Sequence, residues 1–395
     1  MNLIEAPDLS TLKSFEGNPK EDGYYFPAEW DQHEATWLSW PHNTDTWPGK
    51  FKQIFPAYCE FIRVLSLSEK VRINVGSVEL AKSAFTRIAQ YGAELDNIYF
   101  HLNPTNDAWC RDHGPSFLVN KDPSKEKIIV DWGYNAWGGK YPPFDLDNEI
   151  PRKVAAQLGL QIADPGIIME GGSVEFNGDG ALMTSESCLL NPNRNPELSK
   201  EEIEQKLRDF YGVDEILWIR DGIAGDDTDG HIDDTVRFVD ETMVITMVEE
   251  NRDDENFEPL DKNLQLLKQM KIGGSTSSPT GSTSSPTGST SSPTDSTSSP
   301  TGVSKGVINE SRLTIVDIQM PEPLFHNGQR LPASYANFYI SNEHVIVPIF
   351  NSKYDDQALS KIQDCFPTRK VIGIDSTHLV WGLGSFHCLS QQEPK

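Results

Sequence analysis

Residues 382–395 read GLGSFHCLSQQEPK. Gly382 and Gly384 lead to adjacent His387 and Cys388, and the sequence stops seven residues later. Chain ends are usually frayed and carry little chemistry. A thiol and an imidazole this close to a terminus therefore predict an end that is tied down. If the final strand returns to pair beside the first, it closes a ring of repeated units and delivers Cys388 to the centre. Upstream segments of the same character support such a ring. They are WDQHEATWLSWP, NDAWCRDHGPSFLVN, MEGGSVEFNGDGALM, DGHIDDTVRFVD and SYANFYIS. Each is polar and small-residue-rich, and most run straight into an apolar stretch, where α/β proteins carry their sites. Asp112 and Gly172 lie 60 positions apart, Gly172 and His231 59, and His231 and Asn337 106. A Ser/Thr/Pro/Gly tract accounts for roughly thirty of the last interval. Even spacing of this kind points to internal pseudo-symmetry, and five units fill the chain if its first and last clusters belong together.

Between the clusters, helical periodicity is expected over 51–66, 78–91, 151–159, 199–211, 258–271 and 355–364. Extended apolar runs are expected at 71–75, 127–132, 181–185, 242–248, 344–350 and 370–374. The alternation makes the fold α/β. The tract itself repeats GSTSSPT from 274 and ends in DSTSSPT at 301. No apolar residue recurs in it, so a coiled coil is excluded. Its composition predicts a disordered insertion at about 273–303, either between domains or within one loop.

Aromatic residues make up 10% of the chain, enough for a globular core. The formal net charge is −25, from 59 acidic against 34 basic residues. A field of that sign argues against nucleic acid and anionic membranes as partners and favours a cationic substrate. Five widely spaced cysteines form no disulfide framework and no CxxC zinc motif. MNLIEAPDLS lacks a basic start and an apolar core, so no signal peptide is expected. With no membrane-length apolar run, the expected location is cytoplasmic.

Individually the clusters are modest signals. Cys388 between glycines fits a nucleophile that backbone and substrate can approach, or a buried structural thiol. His231 and Asp233, two apart, share a face if they lie on a strand, and fit a proton-transfer group beside an anionic one. A solvated acidic turn, or a metal site with Asp234, fits the same residues. Trp109 and Asp112 fit a flat cation held by aromatic and carboxylate; a core Trp beside an Asp–Arg surface pair also fits. Cys110 and His113 have a metal-like spacing with no second pair. Glu170 ahead of two glycines can orient an imidazole, or merely precede a bulge. Together, a thiol, an imidazole and several carboxylates suit a guanidinium, which is planar, always charged and forked toward carboxylates. A cysteine peptidase needs no such surplus of acids.

WDQHEATWLSWPHN, NDAWCRDHGPSF, DWGYNAWGGKYPPFDLDNEIP, MEGGSVEFNGDGALMTSESCLLNPNRNP, DGHIDDTVRF and GSFHCLSQQEP together resemble the agmatine deiminase family, including its bacterial peptidylarginine-deiminase-like members. The resemblance implies the guanidine-modifying pentein fold, a five-bladed pseudo-symmetric α/β propeller. Residues 1–395 would then form a single catalytic domain interrupted by the tract. It implies Cys388 as the nucleophile that forms an amidino-cysteine, and His231 as general acid and then base. Asp112 and Asp233 would clamp the guanidinium, and Glu170 would assist His231 or the guanidinium. Trp109 would pack along the substrate stem, with Asp107 a lesser pocket residue. No metal or organic cofactor is required. The implied partner is agmatine, a small guanidino cation, with N-carbamoylputrescine and ammonia as products in putrescine and polyamine biosynthesis. Arginine in peptides or proteins is the alternative substrate, and a non-catalytic guanidino-binding protein a third reading. A homo-oligomer is compatible with the sequence. Two features depart from the family pattern: Leu383 interrupts a run of three glycines, and the GSTSSPT tract is unexpected.

Overall fold

Local rules set the helices. Ser199 starts Lys200–Tyr211 with a capping box, its side chain accepting from the Glu202 N–H while Glu202 reaches back to the Ser199 N–H. Gly212 ends that helix in the left-handed region, φ 69°. Ser77 caps Val78–Gln90 by accepting from the Leu80 N–H. Phe55–Ser66 has Pro in its first turn and buries Tyr58, Phe61, Ile62 and Leu65, the i, i+3, i+4, i+7 stripe. With Ile150–Leu158, Phe257–Leu267 and Asp355–Cys365, these are the helices read from periodicity. The six extended runs are found as Lys70–Asn74, Ile128–Val130, Ala181–Ser185, Met243–Val248, His344–Ile349 and Lys370–Asp375.

The computed structural model describes residues 1–273 and 310–395. Apart from Gly273, the insertion at about 273–303 lies outside the described residues. Its flanks pair with each other: Lys271–Gly273 runs antiparallel to Glu310–Arg312, with Ile272 opposite Ser311.

Among the described residues, one topological unit recurs five times. A strand pairs antiparallel with the next, and a helix then crosses to a third strand parallel to the second. Ser116–Asn120, Ile128–Val130 and Gln161–Ala163 form one unit. Val174–Phe176, Ala181–Ser185 and Glu215–Ile219 form another. Val236–Asp240, Met243–Val248 and Thr314–Gln319 follow, then Tyr339–Ile340, His344–Ile349 and Lys370–Asp375. The fifth unit joins both ends of the sequence. Ser390–Pro394 pairs antiparallel with His33–Ser39, Gln391 opposite Trp37, and His33–Ser39 pairs parallel with Lys70–Asn74.

The final strand thus returns to the N-terminal sheet, although not beside the first strand. Asn2–Ile4 occupies the far edge of that sheet, next to Ile98–His101. The return is anchored by Phe386 and Leu389, both fully inaccessible in an apolar core shared with Phe61 and Ile62. Burial of each contributes ~1.5–3 kcal/mol.

His231 and Asp233 do not lie on a strand. Ile232–Asp234 is a single turn of 3-10 helix, and the strand begins at Val236. The Asp226 carboxylate accepts from the Gly230 and His231 N–H groups and winds the backbone into this turn.

Candidate active site

All five units present the segment just before their first strand to one place. These segments are Cys110–His113, Gly171–Ser173, Ile232–Asp234, the 334–337 turn and the 385–389 turn. Backbone bonds lock neighbours together; the Arg111 N–H, for example, donates to the Cys388 carbonyl at 3.1 Å.

Cys388 Sγ lies 3.6 Å from Asp233 Oδ2. His231 Nδ1 is 3.7 Å from Asp112 Oδ1, and His231 Nε2 is 4.0 Å from Glu170 Oε2. Gly172 permits this crowding. Its N–H donates to Asp112 Oδ1 at 3.0 Å. A Cβ there would sit 2.6 Å from His231 Nδ1, 2.8 Å from Asp112 Oδ1 and 3.1 Å from Asp233 Oδ2. Gly382 and Gly384 do the same for the aromatic wall, since Cβ atoms on them would lie 2.9 Å and 2.6 Å from the Trp109 ring. Leu383 between them adopts φ 70°, a conformation that L-residues rarely take, and lines the cavity beside Cys388.

That cavity is about 710 Å³ and is bordered by Trp109, Asp112, Trp137, Leu383, Trp381 and Cys388. Asp107 also borders it, but its oxygens already accept from Thr46 Oγ1 at 2.6 Å and the Ala108 N–H at 2.7 Å.

Several groups that sequence reasoning missed support the predicted ones. The Trp137 indole N–H donates to Asp112 Oδ2 at 3.0 Å. Arg194 holds Glu170 Oε1 at 2.6 Å and continues to Asp229 at 2.7 Å, which in turn meets Lys140 at 2.8 Å. His387, left without a role by the sequence, turns away from the thiol. Its Nδ1 is 2.7 Å from Asp233 Oδ2 and its Nε2 2.8 Å from Glu29 Oε2. Glu29 also meets Arg111 and Arg237. Arg111 is therefore buried in this network, not paired with Asp112 at the surface. His113 Nε2 bonds Ser39 Oγ at 3.0 Å, and Cys110 is core.

The acids do not share one electrostatic fate. Burial first, then Asp233 and Glu170, push the Asp112 carboxyl up to about 8. Burial also opposes charge on Asp233, but the hydrogen bond and charge of His387 outweigh it and hold Asp233 below its ordinary value. Burial lowers His231 to about 3, so its imidazole is neutral. Burial and then Asp233, Asp234 and Asp112 push the Cys388 thiol well above its usual range. Both His231 ring nitrogens and Asp233 Oδ1 are buried and lack a hydrogen-bond partner among the described residues. Glu170, Cys188 and His231 offer ligand atoms within 4.8 Å of one another, but the Arg194 guanidinium already supplies the cation to Glu170.

Known proteins are similar to nearly the whole chain. The Porphyromonas-type peptidyl-arginine deiminase model matches residues 25–277 and 304–394. The chain belongs to this family. It is 32% identical over 382 residues to a Legionella pneumophila (strain Paris) protein provisionally named agmatine deiminase, covering 95% of this chain and 97% of that one. The agmatine deiminase of Enterococcus faecalis superposes with a TM-score of 0.80 at 30% identity, over 97% of this chain and 99% of that one. A Cys→Ser variant of the C. jejuni agmatine deiminase, with substrate bound, superposes at 0.78 and 29% identity, over 96% and 98% of the chains.

Proposed function

We propose that the protein is an agmatine deiminase, hydrolysing the guanidinium of agmatine to N-carbamoylputrescine and ammonia, a step toward putrescine. One observation carries this reading: the His231 ring nitrogens and Asp233 Oδ1 are buried without a hydrogen-bond partner among the described residues, directly behind Asp112 and Cys388, which border the cavity. Leaving such groups unpaired is costly unless a ligand completes them. In the same reading the five units are the blades of one α/β propeller, and the tract is an insertion in a single domain. Pairing of its two flanks supports that. The absence of disulfides among the five cysteines fits a cytoplasmic enzyme.

Asp112 and Asp233 clamp the guanidinium, Trp109 packs along its stem, and Glu170 sets the orientation of His231. In the free protein the nucleophile is a thiol and His231 is neutral, so no imidazolium of His231 lowers the thiol pKa. The arriving cation does that by offsetting the surrounding acids. The thiol proton passes to His231 as sulfur bonds the guanidinium carbon. His231 then gives the proton to the departing nitrogen, and ammonia leaves an amidino-cysteine. Water attacks the same carbon and gives a proton to His231. The C–S bond breaks as His231 returns its proton to the Cys388 sulfur. The hydroxyl loses its remaining proton to solvent, where ammonia takes it up as ammonium, as the ureido carbonyl forms.

A second substrate has one observation in its favour. The cavity, at about 710 Å³, falls in the range that takes drug-sized ligands and leaves room beyond agmatine, which suits an arginyl peptide. Against it, Asp45 and Asp227 border the cavity and suit a distal ammonium, which peptidyl-arginine lacks. Agmatine, free arginine and an arginyl peptide, each offered with ammonia and ureido product followed, separate the readings. Turnover of agmatine alone is expected. Turnover of the peptide alone makes the protein a peptidyl-arginine deiminase, and turnover of none makes it a binding protein.

A further inference from the structure

Asn337 takes no part in the scheme above, yet it touches the reacting sulfur. It is 1% exposed and belongs to the 334–337 turn ahead of Tyr339–Ile340. Its amide has one allowed orientation. The Cys388 backbone N–H donates to Oδ1 at 3.3 Å, which directs Nδ2 toward Cys388 Sγ at 2.9 Å and Asp234 Oδ1 at 3.0 Å. An amide carries two N–H donors, one for each of these acceptors. The side chain cannot swing away without releasing these three contacts, and its backbone carbonyl separately accepts from the His387 N–H at 3.2 Å. The carboxylate facing the sulfur is an acceptor, Asp233 Oδ2 at 3.6 Å. Among the described residues, Asn337 is the one side chain donating a hydrogen bond to Cys388 Sγ.

We infer that Asn337 is a further catalytic residue, whose amide N–H stabilises the Cys388 thiolate as it attacks and again when it is expelled in the hydrolytic half. The inference rests on Cys388 being the nucleophile. A donor fixed in advance toward developing charge acts as oxyanion-hole donors do, without reorganising during the reaction. A hydrogen bond to a charged group is worth roughly a 10- to 100-fold change in an equilibrium. Asp234 keeps the donor aimed by accepting the second N–H.

A purely structural clamp would pin the 387–388 backbone and leave the acidity of the thiol unchanged. The pH dependence of Cys388 alkylation by iodoacetamide separates the two. It is followed by peptide mass spectrometry on the full-length protein without substrate, for the parent, Asn337→Ala and Asn337→Leu. The leucine variant keeps the volume if the alanine variant does not fold, and thermal melts check both. The expected result is an alkylation rate at pH 7 lowered ~10- to 100-fold, with the inflection moved to higher pH and kcat reduced more than KM is raised. Alkylation of a folded variant within about twofold of the parent overturns the inference. Because no substrate is present, that failure is distinct from failure of the functional reading, which is signalled by turnover surviving Cys388→Ala.

Discussion

Asp112 shows at the scale of one residue what burial among acids does to a carboxyl. Burial first, then Asp233 and Glu170, push its carboxyl up to about 8. An acid whose folded pKa exceeds its unfolded value, about 3.9, binds a proton when folded that the unfolded chain has released. Its contribution to stability is therefore complete below about pH 4 and lost as pH climbs toward 8. Thermal melts of the ligand-free protein should fall between about pH 5 and 8, with a shallower slope in Asp112→Asn. In the same window kcat/KM for a guanidino cation should rise as the carboxylate ionises. An identical slope in the variant would remove Asp112 from the account. That Cys388, His231, Asp233, Glu170 and Asp112 would come together was legible because each sits in a glycine- or acid-rich run ahead of a strand. Glu29, Arg194 and the role of His387 were not. The His387–Glu29 bond spans 358 positions, and a buried ion pair leaves no local pattern.

At the scale of elements, the short turns before the strands matter more than the helices. Helices followed from apolar spacing and caps, whose rules act within a few residues. The sequence leaves the 231–233 stretch open between strand and acidic turn; it is a buried turn, and Asp226, five positions before His231, accepts from its backbone. Gly172 tests whether such turns position the chemistry. Its missing Cβ is what lets His231, Asp112 and Asp233 meet. In Gly172→Ala these groups must part by about an ångström, which is expected to lower kcat/KM on the order of 100-fold with little change in the melting temperature. Full activity in a folded Gly172→Ala would mean that the crowding is incidental.

Across the whole molecule, the evenly spaced clusters are matched by five copies of one ββαβ unit, the last assembled from both ends of the sequence. Even spacing was visible in the sequence. The far-edge position of Asn2–Ile4 was not, because strand order depends on contacts that no local pattern encodes. Since Gly273 pairs with Glu310, residues 274–309 should be replaceable by a short turn. Turnover and melting temperature are expected to stay close to the parent values; loss of both would show that the tract belongs to the fold. The central claim is that sulfur from one end of the sequence bonds a guanidinium carbon held by acids from its middle. Acid quenching during agmatine turnover, followed by peptide mass spectrometry, tests it most directly. An amidino adduct on Cys388 is the expected result, and steady turnover with Cys388 never modified would contradict it.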